Sequence, residues 1–340
     1  MHIYYIGQEA VRAAALAKQA TKNGHAVTIS MPNTQKSVES LDFTGIRLLS
    51  LPSLDPRIPG GYLYTLLSCI AAFFIRPDTI VVQDWKAALL IRPFLLLLQK
   101  TCAVWIIDDM PPRFAARIAA GFDQICATSR TVQYRLLTQY NVTSTYIPDG
   151  YTAPGLADIS PRAAGLTKEK YAVALTQDKK EIQRIARAFA AAKTRKKLVA
   201  FGAGKSSAKI TYTDAPLTSR LATSIVRQAG IVIAADPAQS PLILQAMDAG
   251  RQIIATTDSL HEELLGVTAN YYVSTDYKQL TVLIKAGFTS VSTNRSAIVR
   301  AKHFTWTKIG QEYERAYKHK KAVLVPFDSI VRKTSFKIAA

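Results

Sequence analysis

Short runs rich in Ile, Val, Tyr and Ala recur along this chain with helical patterns between them, and the alternation happens twice. That pattern restricts the chain to parallel sheets covered on both faces. The first series reads as strand 2–6, helix 9–23, strand 25–30, strand 45–51, helix 62–75 and strand 79–82. It continues with helix 87–100, strand 103–107, strand 124–127, helix 129–139 and an extended piece at 146–150. Gly24 suits the left-handed position that ends a helix. The second series reads as strand 171–175, helix 179–192, strand 197–201, strand 209–212, helix 217–228 and strand 231–235. Helix 241–249, strand 252–256, a short helix at 259–265 and strand 270–273 complete it. Between the series, 151–168 is rich in Pro, Gly, Ala and Ser and reads as a linker.

With 340 residues the chain is too long for one ordinary domain. The two series predict an α/β protein of two Rossmann-like domains facing a cleft, at 1–155 and 156–303. Residues 304–340 hold an amphipathic helix and a basic tail. Phe304, Trp306, Ile309 and Tyr313 share one face of that helix and are expected to be buried.

Charge is the compositional outlier: 43 Lys and Arg against 24 Asp and Glu leave +19. Residues 1–155 carry 14 basic and 10 acidic side chains, so the second half holds most of the excess. Such a balance implies an anionic partner (nucleic acid, a lipid surface or a phosphorylated ligand), unless it is an ordinary solvated face. No aromatics interleave with the basic runs and no nucleic-acid motif accompanies them, so nucleic acid is a minor alternative. The apolar patterns at 62–75 and 87–100, flanked by Arg76, Arg92 and Lys100, suit contact with an anionic membrane surface. The longest of them spans fourteen residues, short of the about 20 that cross a bilayer. Cys69, Cys102 and Cys126 sit in apolar runs and read as reduced core residues. With no basic leader at Met1–Tyr5, the reading is a cytoplasmic protein, at most peripheral on the inner face of a membrane.

Several motifs bear on chemistry. Gly202-Ala203-Gly204-Lys205-Ser206 looks like a phosphate loop, but Val199 stands where that loop needs its first glycine. The two glycines still permit close backbone approach to a ligand, or a plain turn. Gly7 and Gln8 follow the first strand, Asp84 the strand at 79–82, and Asp108 and Asp109 the strand at 103–107. In a parallel sheet all of these reach the edge where ligands bind. The acids there suit a base or a hydroxyl acceptor, and helix capping explains them equally well. The five histidines are scattered and no metal-ligand spacing occurs, so no metal or other cofactor is expected.

Read together, these segments resemble the GT-B glycosyltransferases, especially the retaining family-4 type. Cys126-Ala127-Thr128-Ser129, the helix after it and Ile147-Pro148-Asp149-Gly150-Tyr151 are similar to the end of the family's acceptor domain. Lys180, ahead of Ala188-Phe189, matches its donor-phosphate lysine, and Leu198 to Gly204 its glycine turn. The stretch from Pro241 through Gly250 resembles "PLvllEAMAaG". His261-Glu262-Glu263 falls where a glutamate follows the next strand, and Phe304-Thr305-Trp306 resembles the start of a closing helix that crosses back to the first domain.

The resemblance implies a GT-B fold and a hexosyltransferase-type reaction, from a nucleotide sugar to the hydroxyl of a glycan or lipid-linked acceptor, as in cell-envelope or other glycoconjugate synthesis. It implies no metal. On this reading Lys180, Asp236 and Asp108 are the catalytic candidates. Gly202, Gly204, Thr211, Tyr212, Pro241, Leu242, Ile243, Gln245 and Glu262 border the donor, and Gly7, Gln8 and Asp84 face the acceptor. The departures are specific. The family's two glutamates eight residues apart do not occur anywhere in the chain: Gln245 and Pro237 stand in register, with Asp236 beside the latter. The family arginine aligns with Leu175. The alternative they leave open is a catalytically silent GT-B protein that binds a nucleotide or partners an active transferase.

Overall fold

The computed structural model describes residues 1–7, 10–33, 43–53, 61–98, 100–108, 118–119, 121–152, 165–202, 204, 206–207, 209–217, 219–289 and 293–318. It divides into two compact units, Met1–Pro148 with Gly310–Ala340, and Asp149–Ile309.

The first unit is built on seven parallel strands in the order β3-β2-β1-β4-β5-β6-β7. They are β1 (His2–Ile6), β2 (Ala26–Pro32), β3 (Arg47–Leu51), β4 (Thr79–Val82), β5 (Cys102–Ile107), β6 (Gln124–Ala127) and β7 (Thr145–Tyr146). Every residue of β4, β5 and β6 is buried, as strands covered on both faces require. The connecting helices are α1 (Ala10–Lys22), α2 (Gly61–Ile75), α3 (Trp85–Leu97) and α4 (Arg130–Tyr140). Ser129 caps α4 by accepting the Val132 N–H, and Asn141 ends it with a φ of 53°. The three cysteines are buried free thiols.

The second unit repeats the plan with six parallel strands, β10-β9-β8-β11-β12-β13. Its strands are β8 (Tyr171–Leu175), β9 (Lys197–Phe201), β10 (Ile210–Thr213), β11 (Ile231–Ala234), β12 (Gln252–Thr256) and β13 (Asn270–Tyr272). Its helices are α5 (Lys179–Ala191), α6 (Arg220–Arg227), α7 (Ser240–Asp248), α8 (Ser259–Leu265), α9 (Tyr277–Thr289) and α10 (Arg295–Ala301). The closing helix α11 (Trp306–Lys318) starts in this unit and passes into the first at Gly310.

Helices α9 and α10 are absent from the sequence reading. Of α9, only Leu280 and Ile284 are fully buried, too few for a clear apolar stripe, and Thr, Val and Gly dilute its helical character. Capping was the available signal: Asp276 accepts the Gln279 N–H and Asn294 the Ala297 N–H. On the closing element Phe304, Ile309 and Tyr313 are buried as expected, but Trp306 is only half-buried. Its indole lies flat enough on Gly150 that a Cβ there would come within 2.7 Å of the ring. The glycine provides the space, so the ring needs no deep pocket.

The carboxylate of Glu314 fastens α11 within the first unit. It accepts from Asn23, from His25 Nε2 at 2.9 Å and from Lys318 at 2.8 Å. Burial alone would raise its pKa; the hydrogen bonds from Lys318, His25 and Asn23 outweigh that and hold it down at about 2. A carboxyl depressed in the folded state stabilises fully above its ordinary value of 4.5, and that contribution drains away as pH falls toward 2. Urea unfolding of the parent across this range is therefore expected to lose stability with acid more steeply than Glu314→Gln, and parallel profiles would contradict the assignment.

Candidate functional site

In both sheets the first strand of the unit lies between neighbours that leave it in opposite directions. The order reverses between β1 and β4 and again between β8 and β11. Ligands of open parallel sheets bind beyond the carboxyl ends of the strands at such reversals. The residues following those strands are therefore the candidates.

In the second unit, β8 ends in Leu175, which is wholly buried in the core, so no cation takes the place its alignment suggested. Thr176 and Asp178 then turn the chain into α5. Asp178 caps the helix by accepting the Lys180 N–H at 2.9 Å. Lys180 is exposed in the first turn, and its ammonium makes no ion pair with the described residues. Beyond β9, Gly202 has a φ of 105°, a conformation that L side chains rarely adopt. Gly204 follows under the ring of Tyr212, which leaves no room for a Cβ. Thr211 and Tyr212 are half-buried in β10, and Tyr212 donates its N–H to Ser206 Oγ at 3.0 Å.

Beyond β11, Asp236 caps a 3-10 turn at Pro237–Gln239, accepting from Ala238 N at 3.0 Å. The chain enters α7 directly afterwards, with no side-chain cap and with Pro241 in the first turn. Pro241 is exposed, whereas the side chains of Leu242 and Ile243 belong to the core. These two can offer a ligand only backbone N–H groups, of the kind helix N-termini present to anions. After β12, Asp258 caps α8 and binds the ring of fully buried His261 at 2.5 Å, and Glu262 beside it is exposed.

Gln245 lies further along α7 and is 8% exposed. Its Nε2 donates to Thr152 O at 2.7 Å and its Oε1 accepts from Arg227 at 3.1 Å. Arg227 also pairs with Asp248 at 2.7 Å, and Asp248 accepts the Tyr151 hydroxyl at 2.9 Å. Burial, reinforced by Asp248, pushes the Tyr151 hydroxyl well above its ordinary pKa. The amide expected to hold a ribose is thus engaged at both ends inside its own unit.

In the first unit, Gly7, Asp84 and Asp108 follow β1, β4 and β5, which are adjacent strands; Gln8 and Asp109 lie outside the described residues. Asp84 caps α3 through the Lys86 N–H at 3.2 Å. Burial raises its pKa, and the Lys86 N–H partly offsets that. Asp108 meets buried Arg12 of α1 at 2.6 Å through one oxygen, while the other is buried without a hydrogen bond. Gln83, which the sequence reading passed over, is 8% exposed and neither end of its carboxamide has a partner among the described residues. It lies across Gly7, where a Cβ would come within 2.8 Å of it. A glutamine between a valine strand and an aspartate gives no pattern to find it by; only the geometry isolates it. Among the described residues no three of His, Cys, Asp and Glu gather closely enough to hold a metal ion.

No protein-family model and no curated protein matches the sequence. Solved structures do match over almost the whole chain. A sucrose-phosphate synthase from Thermosynechococcus elongatus superposes with a TM-score of 0.71 at 13% identity, covering 94% of this chain and 98% of that one. Anabaena HepE, solved with UDP and glucose, gives 0.71 at 14% identity over 93% and 98%. The chain has a GT-B fold. The N-terminal domain of a Candida albicans trehalose-6-phosphate phosphatase also matches, with a TM-score of 0.66 at 10% identity over 92% and 96%. The fold is therefore shared by proteins named for different reactions, and the reaction has to be argued from the site.

A buried carboxamide without partners forfeits about 1–3 kcal/mol. Gln83→Met, of similar shape and without that cost, is expected to melt at or above the parent temperature. A clear loss of thermal stability would mean that the amide is a structural tie.

Proposed function

We propose that this protein is a glycosyltransferase that moves a sugar from a nucleotide-diphosphate sugar to an acceptor hydroxyl. The observation that carries the reading is that the adjacent strands β8 and β11, at the reversal, lead one into an exposed cation without an ion-pair partner among the described residues and the other into a helix N-terminus without a side-chain cap. Both favour an anion, and a departing diphosphate is the anion such a reaction creates. Lys180 and the Leu242 and Ile243 amides would bear its charge as the bond to the sugar breaks. Gly202, Gly204, Thr211 and Tyr212 would border the base, and exposed Glu262 the donor's hydroxyls. Asp236 is the carboxylate left to contact the sugar where Pro237 cannot.

On the first unit, Gln83 and the free oxygen of Asp108 are suited to acceptor hydroxyls, since a carboxamide both donates and accepts. Asp84, with its raised pKa, is the carboxyl best matched to a proton from the attacking hydroxyl. Arg12 neutralises Asp108, which favours a positioning role for that residue over a base. Nothing in this scheme calls for a metal.

A second reading has a specific observation behind it. Gln245 is engaged by Arg227 and Thr152, and Pro237 cannot contact a sugar as a carboxylate would. Both favour a protein that binds the nucleotide and transfers nothing.

Isothermal titration with UDP, GDP and ADP tests the donor site. Charge-assisted hydrogen bonds contribute about 1.5–3 kcal/mol, so Lys180→Ala is expected to weaken the bound diphosphate roughly tenfold or more. It should leave the matching nucleoside unchanged, and Lys179→Ala should alter neither. Equal affinities for the two variants would remove Lys180 from the site. Release of nucleoside diphosphate from the matching sugar donor then separates transfer from silent binding.

A further inference from the structure

Helix α2 has its polarity reversed. The side turned into the first unit carries hydroxyls: Tyr64, Thr65 and Ser68 are almost wholly buried, with Tyr64 donating to Ser30 O at 2.7 Å and Ser68 to Tyr64 O at 2.9 Å. The side turned out carries Leu63, Leu66, Ile70 and Phe74 at spacings of three and four, with Phe74 77% exposed. A helix facing water shows the opposite distribution. Helix α3 packs beside it; its buried side, Ala87, Ala88 and Ile91, is apolar in the ordinary way, but its outer side is apolar as well. Its exposed face is Leu89, Arg92, Pro93, Leu96 and Leu97, the last two 74% and 69% exposed. Two adjacent helices thus both expose large apolar side chains, and clustered exposed apolar surface marks an interaction site.

The charges on this surface have one sign. Neither helix contains an acidic residue, whereas α3 carries Lys86 and Arg92, and Arg76 and Lys100 are exposed just past the two C-termini. The Lys86 ammonium lies 5.2 Å from the Tyr62 ring centre and 5.9 Å from that of Trp85. Aromatic rings paired with lysine at the border of an apolar face are what an interfacial helix uses between headgroups and acyl chains. No helix among the described residues is long and apolar enough to cross a membrane.

We propose that the outer faces of α2 and α3 dock on an anionic lipid bilayer, with Phe74, Leu96 and Leu97 entering the acyl boundary and Lys86, Arg76, Arg92 and Lys100 meeting the headgroups. The proposal does not rest on the transferase reading. Co-sedimentation of the full chain tests it, with vesicles of phosphatidylcholine plus phosphatidylglycerol against phosphatidylcholine alone. The parent is expected to bind the mixed vesicles at low salt, more weakly as salt rises, and the neutral vesicles far less. Leu96→Ser with Leu97→Ser, and separately Phe74→Ser, should each cut binding about tenfold or more, because the buried apolar area supplies most of the affinity. Arg92→Gln should weaken only the anionic component. These residues are exposed, so the variants should keep the parent's circular dichroism, and two independent apolar sites guard against one failing to fold. Absence of binding at low salt, or variants that bind like the parent, would overturn the proposal. So would light scattering that shows a dimer, free of lipid, which the leucine variant dissociates; the occupant would then be a second copy of the chain.

Discussion

Strand β1 and its counterpart β8 each give hydrogen bonds to a parallel neighbour on both sides, and most of what surrounds them follows from that. A parallel pair needs a crossover, and a right-handed crossover places its helix on one face or the other according to the direction in which the next strand is added. Because β2 is added on one side of β1 and β4 on the other, the flanking helices fall on opposite faces of the sheet. The same holds for β9 and β11 about β8. Covered on both faces, the strands become unbroken apolar runs such as Cys102–Ile107 and Tyr171–Leu175. Polar side chains are then confined to the loops at the strand ends, and at the reversals those loops diverge and leave backbone and side chains available to a ligand.

Confinement raises the stakes for the few polar groups that remain inside. Arg227, Gln245, Asp248 and Tyr151 form a connected set, and its partner Thr152 stands with Tyr151 at the start of the stretch read as a linker. Within the second unit this set ties α6 and α7 to the segment that enters the unit. Removing one member of such a set strands the others without partners in a medium where that is costly. Gln245 is therefore a poor candidate for a group that must let go of its neighbours to take up a ligand. Gln83 is the opposite case. It is equally buried, yet among the described residues nothing uses the hydrogen-bonding capacity of its side chain.

Strands were legible in the sequence because burial on both faces writes itself as continuous Ile, Val and Ala, and ten of the expected runs need no more than a residue of adjustment at either end. The same burial hides side-chain roles. The sequence already put Leu175 at a strand end and Leu242 and Ile243 in the first turn of a helix, but only the fold shows that this helix starts without a side-chain cap and that all three side chains belong to the core. Hydrogen-bond partners distant in sequence, such as Arg12 with Asp108 across 96 positions, leave no local trace. Nor did periodicity reveal α9, of which only Leu280 and Ile284 are fully buried while Leu283 and Phe288 pack partly against the core, and whose first turn Asp276 caps through the Gln279 N–H. In α2 the hydropathy was plain from the sequence, but its direction was not. Hydroxyl-bearing residues at Tyr64, Thr65 and Ser68 look like an outer face until the fold turns them inward.

The two sheets share one strand order but end in different chemistry. At the carboxyl end of β1, β4 and β5 stand a carboxamide and two carboxyls, one of them neutralised by Arg12 and the other raised by burial. At the carboxyl ends of β8 and β11 stand a lysine and an uncapped helix start, and beyond β9, the other neighbour of β8, come glycines with backbone that no side chain of their own covers. On the proposed reading the first set would accept protons and hydrogen bonds from neutral hydroxyls, and the second would attract the negative charge of a phosphate. Placing them on separate sheets avoids a cost that a single edge would impose. A lysine within a few ångströms of Asp84 would hold that carboxyl ionised and weaken it as a base, and the carboxyl would compete with the phosphate for the cation. Duplicating the strand order, instead of enriching one edge, lets each unit tune its own residues toward one of the two charges.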